Sequence, residues 1–189
     1  MKAFKEIEKS LLTIYPFTAQ QLAMFTNKLS LKEIQKKEFL LKQNQVCSHI
    51  AFVVKGSFRL YTETEQKEWT INFFTENNWV ADLESLMLKQ PSKNYIEANE
   101  NSKVARISLI DIHSLMEIHP CFHMLNSLIA NLSVSTNQIS TLKIKSPDER
   151  YQQLLANKPH WMNRFPQMQI ASYLGITPET LSRVRARKI

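Results

Sequence analysis

Residues 166–189 read PQMQIASYLGITPETLSRVRARKI, and this stretch decides the architecture of the carboxyl-terminal part of the chain. Pro166 opens a helix that puts Ile170, Ala171 and Leu174 on its inner face. Ala171 is small enough for a second helix to cross closely. Gly175 is one of only two glycines in the chain. It turns the backbone, and Ile176 fills the corner. Thr177 caps the next helix, Pro178 occupies its first position, and Glu179 and Thr180 complete the first turn. Leu181 and Val184 point inward, leaving Ser182, Arg183, Arg185 and Arg187 for the outside or the flanks. The pattern predicts a helix–turn–helix, whose second helix enters the major groove of DNA.

The charge distribution agrees. Residues 150–189 hold seven Lys or Arg and a single acid, Glu179, so nearly all of the net charge of +7 sits at the carboxyl end. A basic helical unit on a near-neutral body fits a nucleic-acid reader. Arg183 lies one turn after Glu179. The arginine can donate two hydrogen bonds to guanine, and the glutamate can accept from cytosine. Thr180 or Ser182 can meet a phosphate or a thymine methyl, and Thr177 is the helix cap. Gln167 and Gln169 can contact phosphates, while Arg185 and Arg187 suit phosphates or the protein surface better than bases.

Upstream the pattern changes. Phe4, Ile7, Leu11 and Ile14 form one helical stripe, and Thr18 caps a second short helix carrying Leu22, Phe25 and Leu29. From about residue 31, short apolar runs recur: FLL 39–41, IAFVV 50–54, FRLY 58–61, WTINFF 69–74, WVADL 79–83, YIEA 95–98 and VARIS 104–108. Polar corners separate them, with Gly56, Asn44 and Asn77-Asn78 at the turns. This rhythm predicts a sandwich or barrel of short strands.

Helical patterning returns at Ser108, which caps a helix to about Glu117. Pro120 then opens a longer helix. Along it Leu125, Leu128, Leu132, Ser135, Ile139 and Leu142 recur at spacings of three and four. This is either a heptad-like dimer seam or a core-facing stripe. Lys143 to Pro147 reads as a hinge. Ser146-Pro147-Asp148-Glu149 then starts a helix that stops before Pro159.

With these motifs in hand, the chain resembles the Crp/Fnr family of bacterial transcription regulators, in particular its short Bacteroidetes-type members. The stretches KKEFLLKQNQVCSHIAFVVKGSFRLYTE, TINFFTENNWVADLES and PSKNYIEANENSKVARIS are similar to the family's β-roll, and IASYLGITPETLSRVR to its helix–turn–helix. The resemblance implies an α+β chain in three parts. Residues 1–118 would form a jelly-roll-like, cyclic-nucleotide-binding-like domain built as a double-stranded β-helix. Residues 119–145 would form a dimerisation helix and hinge, and residues 146–189 an all-α DNA-binding domain. Glu179 and Arg183 match the family's base-reading pair. Pro178 stands where cyclic-AMP-responsive members often carry arginine, so operator preference should differ. The family's wing hairpin is missing from these residues or lies outside them.

The ligand pocket departs from the pattern. The family's Gly-Glu-Leu stretch matches Ala81, Asp82 and Leu83, and its Arg-Ser pair matches Ser92 and Lys93. The phosphate-clamping arginine is absent, and a lysine is a point charge rather than a fork. No response to cyclic AMP is therefore expected. An unidentified small-molecule effector could instead use Trp69, Phe73, Trp79 and Tyr95, although such aromatics are more often plain core.

The implied partners are double-stranded DNA, a second copy of the chain and RNA polymerase. The competing expectation is a dimeric, ligand-sensing or scaffolding roll whose terminal domain no longer reads DNA. No catalytic set stands out, and Cys47 and Cys121 lack metal-ligand spacing, so neither enzyme activity nor a metal or resident cofactor is expected. With no signal-like start and no run of eighteen apolar residues, the expectation is a cytoplasmic protein with no membrane partner.

Overall fold

The computed structural model describes residues 2–65, 67–136 and 145–187. The chain divides into two compact units. Met1–Leu60 with Phe73–Val134 make the first, and Tyr61–Asn72 with Ser135–Ile189 make the second.

In the first unit, α1 (Lys2–Leu12) buries Ile7 and Leu11, the centre of the predicted stripe. Helix α2 (Ala19–Thr26) starts in a complete capping box. The Thr18 hydroxyl accepts from Gln21 N, and Thr18 N donates to the Gln21 side chain at 2.9 Å. Eight strands follow: β1 (Ser30–Ile34), β2 (Phe39–Leu41), β3 (His49–Lys55), β4 (Phe58–Thr64), β5 (Lys67–Phe74), β6 (Trp79–Val80), β7 (Asn94–Ala98) and β8 (Ser102–Ser108). They form two four-stranded sheets, ordered β1-β8-β3-β6 and β2-β7-β4-β5. Strands distant in sequence thus lie side by side, as in a jelly roll. Ile34, Ile50, Phe52, Phe58, Leu60, Phe73 and Ile96 are fully buried. Each such side chain stabilises the fold by ~1.5–3 kcal/mol.

Four left-handed residues other than glycine explain how so few glycines suffice. Asn44 and Asn77 take positive φ angles of 66°, as do Lys37 at 67° and Lys89 at 53°. Gly56 is different, with φ at 93°. A methyl group there would lie 2.8 Å from Ser102 Cα, inside the neighbouring backbone.

Several expectations need correction. The predicted strand 79–83 ends at Val80, because the Asp82 carboxylate turns inward and caps α3 (Leu83–Leu88). Neither α3 nor β1 was anticipated. Helix α4 (Leu109–Ile118) starts at Ser108 as expected. The long helix from Pro120 is not α-helical from its start. A 3₁₀ turn spans Pro120–Leu125, and α5 covers Asn126–Thr136. Leu125 at the end of the 3₁₀ turn and Leu128 and Leu132 on α5 are at most 6% exposed within a single chain. These three side chains of the expected seam are thus covered within the chain itself. Ile139, Leu142 and the Ser135 side chain lie outside the described residues.

The second unit contains α6 (Pro147–Asn157), α7 (Trp161–Arg164), α8 (Gln167–Leu174) and α9 (Pro178–Ala186). Its core is Leu154, Trp161, Phe165, Ile170, Ala171, Leu174, Leu181 and Val184. The Trp161 ring meets Phe165 and Tyr173 edge-on at 5.8 and 5.4 Å. Tyr61–Asn72, the part of β4 and β5 nearest their turn, belongs to this unit. The Ser172 hydroxyl donates to Glu68 O and accepts from Thr70 N, both at 2.9 Å.

Candidate nucleic-acid interface and sensory pocket

The terminal helices are set by local chemistry. Helix α8 ends in a left-handed Gly175, with φ at 66°. Gly175 N donates to Ser172 O, and Ile176 N reaches back to Ala171 O at 3.0 Å. These two bonds satisfy carbonyls that the helix leaves open. Arg150 of α6 satisfies another, with Nη1 donating to Leu174 O at 2.9 Å. Sequence reading registered Arg150 only as positive charge, since nothing in its neighbourhood signals a partner twenty-four residues away.

Helix α9 begins at Thr177, whose Oγ1 accepts from Thr180 N at 3.2 Å. Leu181 and Val184 anchor its inner face at 0% and 6% exposure. Glu179, Ser182 and Arg183 are exposed on the opposite face, as positions i, i+3 and i+4 of one helix require. Arg183 Nη2 donates to Thr180 Oγ1 at 3.1 Å, which holds the guanidinium along the exposed turn. A hydrogen bond from its own backbone N–H, and then one with the Thr177 hydroxyl, holds the Glu179 carboxyl below the usual carboxylate range. The helix therefore presents an anion and a cation side by side.

The other predicted contacts divide. Gln167 is exposed and Arg185 half-buried. Arg187 pairs with Asp148 at 3.3 Å, which ties it to the protein surface. Gln169 is only half-exposed, and its amide oxygen is enclosed without a hydrogen-bond partner. It is a poorer phosphate contact than Gln167.

The predicted effector residues do not make one pocket. Trp69 is 41% exposed on the hairpin, beneath Lys67 Nζ at 4.4 Å from its ring centroid. Phe73 is plain core at 1% exposure. Trp79 packs edge-on against Phe52 at 5.0 Å and donates its indole N–H to Ser10 Oγ at 2.9 Å. Half-buried Tyr95 donates to Gln43 Oε1 at 3.0 Å. Leu83 is half-buried at the start of α3, and Lys93 points to solvent against Glu84 at 3.3 Å.

Ala81, Asp82 and Ser92 do come together, but as a closed polar knot. Ser92 Oγ donates to Asp82 Oδ2 at 2.5 Å, and Asn94 Nδ2 donates to the same oxygen at 3.0 Å. Asp82 and Ser92 are 4% and 3% exposed. The roll's cavity, about 460 Å³, opens elsewhere and shares only Ala81 with the predicted set. Its lining comes instead from the β2–β3 segment and from Arg106, which no local motif had marked.

The cyclic nucleotide-binding domain family matches residues 31–119. The chain is 22% identical to the cAMP-activated global transcriptional regulator CRP of Salmonella typhimurium, over 89% of this chain and 87% of that protein. FixK2 from Bradyrhizobium japonicum shares the fold with a TM-score of 0.71 at 17% identity, over 84% of this chain and 83% of FixK2. A CooA variant from Carboxydothermus hydrogenoformans does so with a TM-score of 0.67 at 18% identity, over 86% and 77%.

Proposed function

Because this chain belongs to the Crp/Fnr family of transcription regulators, we propose that it binds double-stranded DNA sequence-specifically as a homodimer and acts in the cytoplasm without responding to cyclic AMP. One observation carries the reading. Helix α9 is anchored by Leu181 and Val184 and presents Glu179, Ser182 and Arg183 together on its exposed face. An arginine on such a face reads guanine through two hydrogen bonds, and the adjacent carboxylate reads cytosine. The two α9 helices of a dimer read half-sites about one helical turn apart, ~34 Å. Of the expected dimer seam, Leu125, Leu128 and Leu132 are covered within a single chain.

Insensitivity to cyclic AMP rests on the Asp82–Ser92–Asn94 knot. A cyclic phosphate entering there would meet a buried carboxylate and no guanidinium fork, so its charge would go uncompensated.

Selection from a randomised duplex pool tests the reading. The expected result is a palindromic site bound with steep salt dependence. A pool that returns no palindrome, or a salt slope near zero, overturns it.

A further inference from the structure

One cavity of the roll, which borders the Asp82–Ser92 knot at Ala81, has the chemistry of an anion site. Its floor is set by strand register. Arg106 on β8 lies opposite Ala51 on β3, and Ala51 lies opposite Val80 on β6. Directly opposed residues share a face, so the three side chains form one row across three strands. Leu41 and Ile96, paired on the other sheet, complete the apolar lining. The cavity volume, about 460 Å³, falls in the range of ~300–1,000 Å³ that takes a small organic ligand.

Arg106 is the unexplained group. It is half-buried, and its Nε is sealed from solvent without a hydrogen-bond partner. Among the described residues, no carboxylate forms an ion pair with it. Asp82 acts on Cys47 and Asp111 on His49, but neither carboxylate forms an ion pair with Arg106 among the described residues. Burial pushes the Cys47 thiol up, so it stays protonated near neutrality. Burial and then the Arg106 charge push His49 down, so it stays neutral there. Ser48 Oγ occupies His49 Nδ1 at 2.8 Å. A planar guanidinium therefore stands in a cavity with mixed polar and apolar walls, without an ion-pair partner among the described residues.

We propose that this cavity binds a small organic monocarboxylate, with the carboxylate on Arg106 and an apolar body against Leu41, Ala51, Val80 and Ile96. The guanidinium fork matches a carboxylate in two-pronged geometry. One positive charge balances one negative charge. A phosphate dianion would need further donors, and the backbone groups of β3 and β8 along the floor are engaged in their ladder. Binding here does not depend on α9 reaching DNA.

Titration calorimetry of the full chain with straight-chain monocarboxylates, and with the matching primary alcohols, tests the assignment. Inorganic phosphate serves as the competing anion. The expected result is saturable carboxylate binding, no alcohol binding, and a loss of at least tenfold in affinity in Arg106→Lys, which keeps the charge but not the fork. Ala51→Leu fills the chamber without touching Arg106 and should abolish binding with an unchanged circular-dichroism spectrum. Alcohols that bind as well as carboxylates, a preference for phosphate, unchanged affinity in Arg106→Lys, or no binding to the wild type at millimolar concentration would each overturn the proposal.

Discussion

Ser92 donates a hydrogen bond to Asp82 across ten residues of chain, at 2.5 Å and almost out of contact with solvent. The resemblance matches these two positions to the stretch that holds a phosphate in the family's nucleotide-binding members. On that matching, Ser92 stands in place of a clamping arginine and closes onto Asp82. Asp82 also accepts from Ser85 N at the start of α3 and from the Asn94 amide. One carboxylate therefore fixes the whole β6–β7 connection.

Ser92→Ala should destabilise the roll by ~1–3 kcal/mol, because it removes a donor from a buried charged acceptor. Urea unfolding measures this directly. In the wild type, millimolar cyclic AMP should leave the thermal midpoint unchanged. A rise that saturates with nucleotide concentration would show that the cassette opens to ligand.

Arg183→Ala should relax specificity at one base pair of each half-site, at a cost of ~1–3 kcal/mol. Arg187→Ala should leave sequence preference intact, since Arg187 is engaged with Asp148. Competition binding against single-base variants of the selected site distinguishes them. Equal losses on every sequence would make Arg183 a phosphate contact.

Arg150→Met should loosen the helix–turn–helix corner by ~1.5–3 kcal/mol, because a charged donor to Leu174 O is lost. Amide hydrogen exchange should accelerate in α8 and α9, while the core strands β3 and β8 keep their protection. Uniform acceleration across the chain would assign Arg150 a global role instead.

The two glycines should respond differently. Gly56→Ala combines a positive φ with a collision against Ser102 backbone and should cost more than ~2 kcal/mol. At Gly175 an added carbon would meet only Arg150 Nη1, at 3.2 Å. Asparagine tolerates the left-handed region, so Gly175→Asn should cost less than ~1 kcal/mol. Thermal unfolding of the two variants compares them.

The start of α6 should weaken in acid. Ser146 N donates to Glu149 at 2.7 Å, and with the Ser146 hydroxyl this bond holds the Glu149 carboxyl below its usual range. A depressed folded value means that the contribution is present above the unfolded pKa and is lost as pH falls through the folded one. Removing the cap with Ser146→Ala should therefore lower stability near neutral pH. The gap to the wild type should shrink at acidities below the ordinary glutamate range. A gap independent of pH would mean that the charged form of Glu149 is not what the cap stabilises.

What the sequence determined by itself is local in origin. Caps at Thr18, Ser108, Ser146 and Thr177, the left-handed turns at Asn44, Asn77 and Gly175, and the strand rhythm all follow from a residue and its near neighbours. They were legible for that reason, and with them the outward face of α9. Tertiary structure alone decided which apolar stripe would be consumed. The spacing of Leu125, Leu128 and Leu132 suits a partner chain or the chain's own core equally, and only the folded chain shows that all three are covered. The same holds for Arg106, Arg150 and Ser92. Each acts through a register or a crossing that brings distant segments together, and periodicity along a chain carries no information about which strands become neighbours.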